Sequence, residues 1–191
     1  MNTKLVLGSA SIGRKKVLKN AGFDFEVMAG NIDEKAIRNV NVEKMVTALA
    51  RAKADFLLPK IQGKAVLITA DQVTVFQGTV REKPKDTQQA YEFLKSYNME
   101  NPVMLIGALV VTNTKNSKRA EGIHLSKVLF SKMPDDVITT HIKNGCLRAA
   151  GGFMIEYPEL QPYIKKIEGG QDAVMGLSVS LFEKLLREVQ T

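Results

Sequence analysis

The chain has 191 residues, 45% hydrophobic and 25% charged, which suits a soluble globular protein of one domain, or one elongated domain with two lobes, and argues against disorder. Its single cysteine, Cys146, excludes an intrachain disulfide framework, and without a CxxC pair or Cys/His cluster there is no zinc pattern, so a reducing, cytoplasmic setting fits. The 27 Lys+Arg against 20 Asp+Glu give a formal +7 that favours anionic partners, but the charges are scattered and no basic tail marks a stable nucleic-acid partner.

In chain order, the apolar run Leu5–Val6–Leu7 predicts a buried strand over 4–8. A Ser-rich turn follows, then a helix over 12–21 with Val17, Leu18 and Ala21 on one face and Gly22 as its stop. A short strand over 25–28 completes a βαβ-like start. The longest helix is predicted over 42–58, closed by Pro59. "AVLITA" reads as a second buried strand that ends on Asp71, and "VTVFQGTVRE" as a hairpin about Gln77–Gly78.

A helix over 87–97 is expected behind an Asp86 N-cap, and two long strands, 103–112 and 122–131, flank the polar loop "NTKNSK". Pro134 opens another helix that Asn144–Gly145 stops, and a serine-capped amphipathic helix closes the chain. No segment approaches the ~20 apolar residues of a membrane span, and the N-terminal apolar run is too short for a signal peptide, so no membrane partner is expected. Strand and helix alternate early and hairpin signals dominate the middle. Together they predict a mixed α/β fold, a mixed sheet with flanking helices, and two lobes with a central cleft between them would suit that distribution.

Several short stretches could carry chemistry. "LGSASIGRKK" brings small residues from a strand into a helix, where backbone N–H groups and the helix N-terminus can hold a phosphate. Arg14 and Lys15 stand in the first helical turn, opposing the dipole unless an anion lies between them. A serine-capped helix with a solvated basic face is the other reading, and the segment alone leaves both open. In "NIDEK", Asp33 or Glu34 could bind a hard cation, though adjacent acids are usually solvated.

Asp71, expected at the end of a strongly apolar strand, stands where α/β sheets present ligand-binding groups, and could activate water or hold a metal. Lys83, stiffened by Pro84, and Lys53, between two alanines in the long helix, are candidate phosphate ligands, although lone lysines are more often surface residues. "AAGGFMIE" combines a Gly151–Gly152 pair with Glu156, a carboxylate at the end of an apolar run that wants donors from a base edge or a nearby cation. His124 and His141 lack partners for a nucleophilic triad and read as structural or surface residues, and Cys146 reads as a buried small residue and not a nucleophile.

Taken in order, "LVLGSASIGRKKVL", "NIDEK", "LARAKAD", "ITADQV", "REKPKD", "AGGFMIE" and "IEGGQDAVMGLSV" resemble the Maf (septum-formation-inhibitor-like) family over nearly the whole chain, most closely its plant and protist members. The resemblance implies a two-lobed α/β fold, often dimeric, that hydrolyses nucleoside triphosphates to the monophosphate and pyrophosphate with Mg²⁺ or Mn²⁺. It assigns Ser9, Ser11 and Arg14 to the family's phosphate loop, with Lys15 beside them, and Lys53 and Lys83 to its binding lysines. Asp71 corresponds to the family's proposed catalytic base and Glu34 to its acidic residue, and the two carboxylates together could bind Mg²⁺ as metal ligands.

Gly13, Gln72 and Glu156 occupy the base-specificity positions. They depart from the dTTP/UTP-preferring bacterial pattern, which has a second arginine, a threonine and a glutamine there. The Asp–Gln pair with Glu156 is similar to the subgroup acting on 7-methyl-GTP, whose bacterial members carry tryptophan at the Gly13 position. The resemblance thus implies a pyrophosphatase for standard or modified nucleotides. A dTTP/UTP preference, a non-catalytic nucleotide-binding regulator of cell division and a sugar-phosphate enzyme are the alternatives.

Overall fold

The computed structural model describes residues 4–191. Leu5, Val6 and Leu7 are buried on β1 (Lys4–Leu7), which runs into α1 (Ile12–Asn20) and returns as β2 (Glu26–Val27), paired parallel to β1. This is the expected βαβ start. Ser11 caps α1 by accepting from Arg14 N–H, and Gly22, with φ of 80°, follows the helix in the left-handed conformation that glycine tolerates best.

The long helix is α2 (Val42–Leu57), capped by Asn41, and Pro59 lies in a short 3₁₀ turn directly after it. Next come β3 (Ala65–Phe76), β4 (Thr79–Arg81), α3 (Thr87–Ser96), β5 (Val103–Asn113) and β6 (Arg119–Phe130). The remaining elements are α4 (Asp135–Lys143), β7 (Ile164–Glu168), α5 (Gln171–Val174) and α6 (Val179–Gln190). Among the described residues the strands form a mixed seven-stranded sheet in the order β2-β1-β3-β5-β6-β7, with β4 hydrogen-bonded to β3.

One expectation fails. The strand carrying Asp71 does not end there but continues to Phe76, so Asp71 is an interior strand residue. The hairpin strand read separately after Asp71 is the same strand. Its far end pairs antiparallel with β4 across Gln77 and Gly78, whose φ values of 48° and 76° are those of a tight hairpin turn. A carboxylate normally interrupts an apolar strand. Here the ammonium of Lys53 meets it, and the ladder goes on.

The chain divides into two units, with β3, β5 and β6 each contributing to both. The first comprises the residues up to Asp71 with Gly107–His124 and Gly176–Thr191. Its core joins Leu5–Leu7, Val46, Leu49, Ala50 and Leu57 of α2, Ala65–Ile68 of β3, and Phe182, Leu185 and Val189 of α6. Gly8 is required there, because a Cβ would stand 2.7 Å from both Leu57 Cδ1 and Thr69 Cγ2. The second unit comprises Gln72–Ile106 and Leu125–Met175. It is built on Phe76, Leu94, Tyr97, Phe130, Ile138, Cys146, Phe153 and Leu160, with the Tyr97, Phe130 and Phe153 rings in mutual contact.

Charge separates along the same division. The first unit holds 17 of the 27 Lys+Arg and 10 of the 20 Asp+Glu, so it carries the whole +7, and the second is neutral.

Candidate active site

Alternation along β3 sends Thr69 and Asp71 to one face. Thr69 Oγ1 donates to the Ala50 carbonyl at 2.7 Å, which fixes α2 over this face, and one helical turn on Lys53 Nζ donates to Asp71 Oδ1 at 2.6 Å. The same ammonium lies 2.8 Å from Glu34 Oε1, so a single cation bridges two carboxylates. The Lys53 and Asp71 side chains are each only 11% exposed, whereas that of Glu34 is 53% exposed. Asp33 has a different task, since its carboxylate accepts from the N–H groups of Lys35 and Ala36 and caps the turn that begins at Glu34.

The opening loop converges on the same unit. Ser9 Oγ accepts from Ser11 N–H at 3.2 Å and from Arg14 Nη1 at 3.1 Å, while Arg14 Nε donates to the Gly176 carbonyl at 3.0 Å. Burial lowers the pKa of the Arg14 guanidinium, and the negative charges of Asp71 and Glu34 push it back up. Ser11 is a helix cap, and Arg14 is a half-buried cation held toward Ser9 in the field of two carboxylates. Gly13 and Lys15 sit half-buried in the first turn of α1.

Ser9, Ser11, Arg14, Glu34, Lys53 and Asp71, with Gly13 and Lys15 on α1, all belong to the first unit. Gln72, Lys83 and Glu156 belong to the second. Gln72 Nε2 donates to the Val174 carbonyl at 3.1 Å. Lys83 is exposed beside a buried Pro84, and Glu156 is half-buried on the turn that follows Ile155. The Gly151–Gly152 pair is explained by packing. Both have φ near +70°, and Cβ atoms there would meet Thr74 Cγ2 at 2.7 Å and Pro84 Cγ at 3.2 Å.

Two participants have no sequence signal. The Gly176 carbonyl that orients Arg14 comes from 162 residues away, and only glycine's +103° φ leaves room there, since a Cβ would stand 3.2 Å from Arg14 Nε. His141, read as structural or surface, is fully buried and holds the turn that bears Glu156.

The donor set suits a hard divalent cation. Asp71 and Glu34 already share one positive group, and Mg²⁺ is commonly held by one or two carboxylates together with substrate phosphates. Among the described residues no group of three or more His, Cys, Asp or Glu side chains gathers as a metal cage, so an ion held by Asp71 and Glu34 would need water or other oxygen ligands to complete its shell.

Comparison with known proteins follows the same lines. The family model described as "Maf-like protein" matches residues 4–189. The chain is 36% identical to a 7-methyl-GTP pyrophosphatase of Dictyostelium discoideum, across 97% of this chain and 96% of that protein. It is 31% identical to a nucleoside triphosphate pyrophosphatase of Salinispora tropica, across 97% and 84%, and 30% identical to a dTTP/UTP pyrophosphatase of Bdellovibrio bacteriovorus, across 97% and 98%. With a family model matched almost end to end and such relatives covering nearly the whole chain, this protein belongs to the Maf-like family.

Proposed function

We propose that the protein is a nucleoside triphosphate pyrophosphatase that cleaves between the α- and β-phosphates and prefers a guanine-type base such as that of 7-methyl-GTP. The observation that carries the reading is the Lys53 bridge between Asp71 and Glu34, with Arg14 beside it, in a unit that holds all of the protein's net positive charge. A triphosphate carries about four negative charges, so fixed cations that meet the charge developing on the leaving pyrophosphate lower the barrier. Arg14 and Lys53 supply two such cations, with Ser9, Ser11 and Lys15 on the same loop and helix. Lys83 is proposed as a further phosphate ligand.

In this reading Asp71 orients a water molecule and accepts its proton as the water oxygen bonds to the α-phosphorus. The bond from that phosphorus to the bridging oxygen breaks, and pyrophosphate leaves. Lys53 holds the Asp71 carboxylate in place before substrate arrives and then turns its remaining donors toward phosphate oxygens. Asp71 and Glu34 would hold a Mg²⁺ or Mn²⁺ ion, which when bound supplies charge neutralisation on the triphosphate. A lone buried thiol suits a reducing compartment, so a cytoplasmic enzyme is proposed, and the family resemblance supports a homodimer.

Glu156 supports the guanine preference. A carboxylate only accepts hydrogen bonds, and guanine presents N1–H and N2–H₂ donors on one edge, whereas uracil and thymine place carbonyls on either side of a single N–H. The Dictyostelium relative bears a name of this kind. Relatives named dTTP/UTP pyrophosphatases favour the second reading, a pyrimidine preference. Pyrophosphate release from a panel of GTP, 7-methyl-GTP, ATP, UTP and dTTP, each with Mg²⁺ or Mn²⁺, separates the two. Pyrophosphate from 7-methyl-GTP at the highest kcat/KM supports the first, UTP or dTTP at the top supports the second, and no pyrophosphate from any nucleotide overturns both.

A further inference from the structure

The turn Phe153–Tyr157 bears Glu156, and its backbone is held from several sides. Met154 N–H donates to His141 Nε2 at 3.2 Å. The Met154 carbonyl accepts from Tyr157 N–H at 3.2 Å, and the Ile155 carbonyl accepts from the Gln161 side chain. The Tyr157 ring stands edge-on to the His141 ring, with centroids 5.6 Å apart, and its hydroxyl meets Arg148. His141 has no exposed surface.

The partners of His141 fix its tautomer. A ring nitrogen that receives a backbone N–H cannot carry a proton itself, so Nε2 is bare and Nδ1–H donates to Glu159 Oε1 at 2.7 Å. Asn144 Nδ2 donates to the same carboxylate oxygen at 2.9 Å, which holds Glu159 in place. Glu159 therefore sets the tautomer, the tautomer sets the acceptor, and the acceptor sets Met154, two residues before Glu156. An orienting role explains why an imidazole stands here with no exposed surface. An apolar side chain would fill the volume but would leave a buried N–H at Met154 unpaired.

We propose that His141, oriented by Glu159, is a positioning residue for base selection, acting through the turn that presents Glu156 and not by touching the nucleotide. The inference rests on the reading of Glu156 as the base-recognition carboxylate, and the experiment treats the two separately. The ratio of kcat/KM for 7-methyl-GTP to that for UTP is measured in the full-length protein and in Glu156→Gln, His141→Leu, His141→Gln and the double variant Glu156→Gln/His141→Leu. Glu156→Gln is expected to lower the ratio roughly tenfold or more, the worth of a hydrogen bond to a charged group.

His141→Leu should lower it in the same direction, and the double variant should fall no further than Glu156→Gln alone. His141→Gln places an amide oxygen near the position of Nε2 and should restore most of the ratio, which a purely space-filling role would not predict. Where His141→Leu does not fold, Glu159→Leu serves instead. Its loss frees the imidazole to move its proton to Nε2, and it should lower the ratio likewise. A shift in Glu156→Gln with none in His141→Leu or Glu159→Leu overturns the positioning role alone. No shift in Glu156→Gln overturns the base-recognition reading and the positioning role with it.

Discussion

Lys53 Nζ and Asp71 Oδ1 lie 2.6 Å apart, joining the middle of α2 to the interior of β3 by a charged hydrogen bond between two largely buried side chains. Coulomb attraction in such surroundings offsets a desolvation cost that neither charge could bear alone. Removing one partner therefore does more than delete a contact.

Lys53→Met leaves the Asp71 carboxylate buried without its cation. The expected cost is about 3 kcal/mol of stability, near the lower end for a broken buried pair because Glu34, the third member, is solvent-accessible. Urea unfolding checks it. A change in midpoint without a change in slope marks loss of stability alone, and an unchanged midpoint removes the pair from the stabilising interactions.

Asp71→Asn keeps the shape and a hydrogen-bonding oxygen for Lys53 but removes the proton acceptor. Pyrophosphate release should fall by about 10²–10⁴-fold with nucleotide binding largely retained. Single-turnover kinetics alongside calorimetric titration separate the two, and a fully active variant would take the base role away from Asp71.

Gly151→Ala places a side chain at a φ of 72° and a Cβ 2.7 Å from Thr74 Cγ2. Strain and overlap together should cost about 2–3 kcal/mol, read as a lower thermal midpoint. Gly63→Ala provides the control, since that glycine shares the positive φ but would meet nothing within 4 Å. Its cost should be confined to about 1 kcal/mol of backbone strain.

Burial lowers the pKa of His141 below its ordinary 6.5, against the opposing pull of its hydrogen bond to Glu159 and the charges of Glu159 and Glu156. The unfolded chain then takes up a proton at a pH where the folded chain does not. Stability from this residue is accordingly complete above about pH 6.5 and declines as pH falls toward the folded value. Melting temperatures between pH 7.5 and 5 should show the decline in the parent and a smaller one in His141→Gln.

Burial pushes the Cys146 thiol up to about 11. At pH 8 the native protein should therefore react only slowly with a thiol reagent, through conformations that open the site, so the labelling rate should rise with urea as those conformations become populated. Rapid stoichiometric labelling of the native state would contradict this.

Much of the framework was legible locally. Ser11, Asn41, Asp86 and Ser178 each accept from a first-turn N–H of the helix that follows, as capping residues do; Asp86 and Ser178 are legible as caps in the sequence, whereas the opening serines alone leave a cap and an anion site both open. Gln77–Gly78 turns the hairpin because its residues tolerate positive φ. Asp71 was misplaced at a strand end for an equally local reason. The apolar run stops there, and only an ammonium from a helix eighteen residues earlier lets the strand carry a carboxylate onward.

The sequence by itself determined most of the element order as far as α4 and the closing helix, several caps and turns, the net charge and the family resemblance, because these depend on neighbours along the chain, whereas β7 and α5 carried no such local signal. Tertiary structure decided the rest. It made Lys53 a bridge between Glu34 and Asp71, gave Arg14 the distant Gly176 carbonyl, concentrated the positive charge in one of two units, and turned a buried histidine into the acceptor for Met154. Apart from the charge distribution, each of these is a pairing between residues that are not neighbours in the chain, driven by the cost of leaving a polar group unpaired away from water, and no local pattern encodes which partner will meet that cost.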